Sequence, residues 1–103
     1  MASEVIQNQV LTARDMCPID RIEVRTGALI GLQDGLGVGF AEAASLIRDR
    51  FGQARFSGES YERRGSVRTP TFHFIDEQAK LTFIVQLTRR GIPQLRSVRP
   101  ARV

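Results

Sequence analysis

Apolar positions recur along this chain with two periods, and the periods divide it into elements. From Glu4 to Met16, Ile6, Val10, Ala13 and Cys17 keep a helical spacing, and Val5 and Leu11 widen the stripe. Ser3 is a natural N-cap, and Pro18 turns Cys17 away from helical conformation, so residues 1–18 are predicted to hold an N-terminal helix. From Ile19 to Ile30 the period changes to two. Ile22, Val24 and Thr26 alternate with Arg21, Glu23 and Arg25, which predicts a half-buried strand running on through Ala28-Leu29-Ile30. Gln33-Asp34-Gly35 then reads as a turn. The helical period returns over Phe40 to Phe51, where Phe40, Ala43, Ala44, Ile47 and Phe51 form one stripe and Gly52 stands at the C-terminal boundary.

The remainder alternates. Strands are predicted over Gln53 to Arg63, Thr71 to Asp76, Lys80 to Thr88 and Gln94 to Arg99, separated by Gly65-Ser66, by Asp76-Glu77-Gln78-Ala79 and by Arg89-Arg90-Gly91. The clearest is Lys80 to Thr88, with Leu81, Phe83, Val85 and Leu87 on one face and Gln86 on the other. The implied order is α-β-α-β-β-β-β. The predicted class is α+β: an antiparallel sheet of four to five strands, a β-meander, packed by one main helix, with the N-terminal helix in addition. Residues 1–103 then make a single domain, with 100–103 as a flexible tail. Phe40, Ile47 and Phe51 are expected to pack on Leu81, Phe83, Val85 and Leu87. The opposite sheet face, with His73, Ile75, Ile84 and Tyr61, is expected to lie open.

The order from Val38 to Arg99, a Phe40-Ala41-Glu42-Ala43-Ala44 helix before a strand meander, loosely resembles that of PepSY-type domains. The resemblance implies a small non-catalytic module of the kind associated with protease inhibition and cell-envelope proteins. It is one of element order without a shared motif, and no family is assigned on it.

Charge alters the picture more than composition does. The 103 residues carry a net charge of +4, and it is unevenly placed. Residues 1–52 hold five arginines against seven acids, whereas residues 53–103 hold nine arginines and Lys80 against four acids. Arg55, Tyr61, Arg63, Arg64, Arg68, Arg89, Arg90 and Arg96 are the candidate partner-binding residues, since arginine forms forked contacts with anions and aromatic rings interleave with it here. No helix-turn-helix, zinc-finger or RNP-like signature accompanies them.

Catalytic chemistry finds little support. Cys17 and His73 are the only residues of their kinds, and the first is expected at a helix end, the second in mid-strand. Asp76 and Glu77 near His73 fall in a hairpin turn, where solvated acids are normal. Glu59 and Glu62 point to opposite faces of a strand. The glycine run Gly31 to Gly39 lacks a Walker lysine and reads as a connector. The lone cysteine and the absence of a leader pattern point to the cytoplasm. The expectation is a small non-catalytic binding module without cofactor or metal, with a protein partner or self-association first, weak nucleic-acid binding second and a small enzyme third. Neither a membrane nor a small-molecule substrate is expected.

Overall fold

The computed structural model describes residues 11–101. The chain runs α1 (Ala13–Met16), β1 (Glu23–Val24), α2 (Thr26–Leu36), α3 (Phe40–Phe51), β2 (Arg55–Arg64), β3 (Val67–Asp76), β4 (Leu81–Leu87) and β5 (Pro93–Pro100). The five strands form one sheet in the order β1-β5-β4-β3-β2, antiparallel except for the β1–β5 pair. The fold is therefore α+β, with the four later strands as the expected meander and a short N-terminal helix.

The helix over Phe40 to Phe51 forms with the predicted bounds, because its stripe has something to cover. Ala43, Ile47 and Phe51 are buried, and the Phe51 ring meets Phe74 and Phe83 edge-on, at 5.4 Å in each case. Leu81, Phe83 and Val85 face this layer as expected. Phe40 does not. It is 60% exposed at the first turn, beyond the edge of what the sheet offers.

Three further expectations are corrected. The strand over Ile19 to Ile30 shrinks to Glu23–Val24, and a helix begins at Thr26. Gly27, Gly31 and Gly35, four apart, belong to that helix, and Ala28 and Leu32 are its buried residues. It lies on β5 so closely that a Cβ on Gly31 would stand 3.4 Å from the Val98 carbonyl oxygen. The sheet is thus packed by two helices, and α2 ends where Gly37 takes the left-handed conformation at φ 67. The long N-terminal helix is also revised. Leu11 and Thr12 are extended against β2, with Phe56 N–H donating to Leu11 O at 2.7 Å and Ala13 N–H to Ala54 O at 2.6 Å. A Thr12–Asp15 capping box then starts α1. The part predicted over Glu4 to Val10 lies outside the described residues. Finally, the first half of the expected tail is structured: Pro100 closes β5, and Ala101 N–H donates to Lys80 O at 2.8 Å, while residues 102–103 lie outside the described residues. No helix among the described residues is long and apolar enough to cross a membrane.

Candidate functional site

Strand direction decides which arginines meet. β3 pairs with β4 from Thr71 to Asp76 only, whereas β2 and β3 stay paired through Tyr61↔Pro70, Glu62↔Thr69, Arg63↔Arg68 and Arg64↔Val67. Pro70 has no N–H to offer, and the β3–β4 ladder stops one residue short of it. Beyond that point β2 and β3 continue as a two-stranded arm, tied to β4 near its base by the Gln86–Glu62 hydrogen bond. Its tip is a two-residue Gly65-Ser66 turn, with Gly65 at φ 62 as such turns require. Because β4 runs antiparallel to β3, the turn after β4, with Arg89 and Arg90, lies at the same end of the sheet as the arm. The meander thus gathers Arg63, Arg64, Arg68, Arg89 and Arg90, all exposed, around one end.

Arg55 is not among them. It sits at the opposite end, where its guanidinium donates to Glu77 Oε2 at 2.9 Å. That contact holds the Glu77 carboxyl below its usual range. Arg50 is engaged there too, forked onto Asp76 through Nε and through Nη2 at 2.8 Å. Arg50 and Arg55 are thus neutralised by ion pairs, whereas Lys80 and Arg99 at the same end are in none among the described residues. Of the five arginines gathered at the arm, Arg64 alone is in an ion pair among the described residues, with Glu62 at 3.5 Å.

Arg63 stands directly opposite Arg68. Like charges in register cost a hairpin stability, and neither residue is in an ion pair among the described residues. Arg68 finds partial relief over the ring of Tyr61, 4.4 Å from its centroid. A pair that local stability disfavours points to a use elsewhere. Arg63→Thr should therefore raise the urea midpoint slightly, by about 0.2–1 kcal/mol of stability, the size of one cross-strand pair. A midpoint lowered by this change would mean that the arm needs Arg63 for its own structure.

Arg96 lies at a β5 bulge on the face away from the helices. It donates to Gln86 Oε1 at 2.8 Å, and Gln86 Nε2 donates to Glu62 Oε1 at 3.0 Å. Gln86, expected to be a solvated outward residue, is instead buried at the centre of this network. A shallow groove of about 240 Å³ runs past Arg96, Ser97 and Arg99 and continues toward His73 and Ile84. Sequence periodicity placed His73, Ile75 and Ile84 on this face, and the pairing puts them there. Tyr61 is on the other face, beyond the reach of the helices, because the bulge between Phe56 and Gly58 shifts the β2 alternation.

A contact that sequence did not reveal is Ser60 Oγ with His73 Nε2, 3.1 Å apart across β2 and β3. No side chain among the described residues hydrogen-bonds the other imidazole nitrogen, so the third member that orients a nucleophile's base is missing. Cys17 is buried among the core side chains, where burial pushes its thiol up and away from reactivity. It cannot meet His73 through the sheet. Among the described residues no cluster of three His, Cys, Asp or Glu side chains is placed to hold a metal ion. Comparison with protein-family models, with curated proteins and with solved structures finds no match.

Proposed function

We propose that this chain is a non-catalytic nucleic-acid-binding module that takes phosphates at the arm-bearing end of its sheet. The observation that carries the reading is the gathering of Arg63, Arg64, Arg68, Arg89 and Arg90 at one end, against the ion-paired Arg50 and Arg55 at the other. Arginines outside ion pairs, as four of these five are among the described residues, match a phosphate backbone, which rewards cations whatever the base sequence. The lone Cys17 suits a cytoplasmic setting, where a thiol stays reduced.

The competing expectation, a protein partner or self-association by strand addition, receives less support. The open edge of β2 is broken by a bulge and carries Glu59, Glu62, Arg63 and Arg64, and charge and irregularity of this kind blunt an edge against pairing. The open face carries Ile75 and Ile84 but is mostly Thr, Ser, Gln, His and Arg, without the large aromatic anchors of a protein interface.

Binding should fall steeply with salt. Phosphate contacts by Arg63, Arg68, Arg89 and Arg90 give a log–log slope of about −3.6, and Arg63→Ala with Arg68→Ala should reduce its magnitude by about 2. A mobility shift assay with mixed-sequence nucleic acid at about 50 mM salt, where phosphate contacts are strongest, makes the check. No shift, or a slope untouched by the double variant, would overturn the reading. A stoichiometric protein partner in its place would return the protein-binding expectation.

A further inference from the structure

We infer that the nucleic acid is duplex B-form DNA, entered through its major groove by the β2–β3 arm. The inference rests on the reading above and narrows it. A site for single strands needs exposed aromatic rings on which unstacked bases can lie. The open sheet face has none beyond the His73 imidazole, because Phe56, Phe72, Phe74 and Phe83 all point into the helix layer. Tyr61 is the one aromatic side chain on the arm, and the Arg68 guanidinium already stacks on it.

The arm has the form that a groove admits. Its four residue pairs beyond the last β3–β4 pair, Thr71↔Gln86, reach about 13 Å, at about 3.3 Å per residue, and its two strands stand about 4.8 Å apart. The major groove of B-DNA is about 12 Å wide and 8.5 Å deep and accepts a two-stranded ribbon. An arm of this length reaches the groove floor, and the turn holding Arg89 and Arg90, beside the arm at the same end of the sheet, is left to meet the flanking phosphates. At the tip, Arg64, Ser66 and Val67 are exposed. They offer a guanidinium for guanine, a hydroxyl for either base edge and an apolar surface for the thymine methyl. The A-form RNA duplex is excluded by the same dimensions, its major groove being too deep and narrow to enter.

Fluorescence anisotropy with one sequence, presented as duplex DNA, as duplex RNA and as single-stranded DNA, is the test. Duplex DNA should bind roughly tenfold or more tightly than either other form, the size of one good base-edge contact. Guanine N7, which faces the major groove, should be protected from methylation in the complex, and Arg64→Ala should lose that protection while circular dichroism stays unchanged. Single strands or duplex RNA binding as tightly as duplex DNA would overturn the inference and leave the phosphate-binding reading standing. Duplex binding with N7 fully reactive would also overturn it, since the arm would then lie outside the major groove. Failure of all three forms to bind would remove the underlying reading itself.

Discussion

Replacing Phe83 with alanine should bring this domain close to unfolding. Phe83 is fully buried in mid-β4, paired with Phe74 on β3 and Val98 on β5, and its ring meets Phe51 of α3 at 78°. It touches the helix layer and both neighbouring strands, so no single element can move in to fill the space it leaves. Loss of a phenyl ring from such a site costs about 3–5 kcal/mol. Small domains have roughly 5–15 kcal/mol in total. The neighbouring change Gln86→Ala serves as the graded comparison. Its three side-chain hydrogen bonds, to Glu62, Thr71 and Arg96, place its cost near 1 kcal/mol, above that of a solvated residue and well below that of Phe83. Urea midpoints of the two variants decide the point. Equal midpoints would mean that the helix layer does not pack on the face bearing Phe83.

The success over Phe40 to Phe51 and the failure over Ile19 to Ile30 have one physical source. Periodicity reports a buried stripe, and α3 has one whose members are large enough to be seen: Ile47 and Phe51, with Ala43. The α2 stripe is built from Ala28 and Leu32, with glycine at every fourth position around it. Glycine is poor in helices by about 1 kcal/mol relative to alanine, so local preference argued for turns. Tertiary packing reversed that preference where the β5 backbone approaches within reach of Gly31. Of the half-buried strand expected through Val24 only a two-residue edge strand remains, and both of its residues are exposed.

The site was legible in kind and illegible in grouping. Composition marked the second half of the chain as basic, and the turn residues Gly65-Ser66 and Arg90-Gly91 were visible. That Arg63, Arg68 and Arg90 share one end, and that Arg55 belongs to the other, follows from strand direction and register, which a single sequence does not display. The ion pairs that silence Arg50 and Arg55 span 26 and 22 residues. The Gln86 network was hidden for a related reason. Glu62, Thr71 and Arg96 come from three different strands, and only their register shows that a glutamine between them can be buried with its polar atoms satisfied.

The end of the sheet remote from the arm should govern stability in acid. Asp76 is buried and accepts both prongs of Arg50, together with the N–H groups of Gln78 and Ala79 at 3.1 and 3.2 Å. The Arg50 hydrogen bonds, with those backbone donors, hold its carboxyl below the ordinary value of 3.8 against the opposing effect of burial. A carboxyl whose folded-state pKa is depressed binds its proton more readily when unfolded. Its contribution is therefore complete above about pH 4 and drains away as pH falls through the folded value. Asp76→Ala strands the hairpin N–H donors and the guanidinium at once, and should cost about 2–3 kcal/mol at neutral pH, the scale of hydrogen bonds to a charged group. Asp15 and Glu77 are shifted in the same direction at exposed positions, so the wild-type acid profile contains their share as well. The difference between wild type and Asp76→Ala removes that share. Plotted against pH, it should be flat from pH 7 to about 5 and shrink below about 4. A difference that stays constant into acid would mean that Asp76 stabilises the β3–β4 turn by shape, with its charge and its fork to Arg50 contributing nothing.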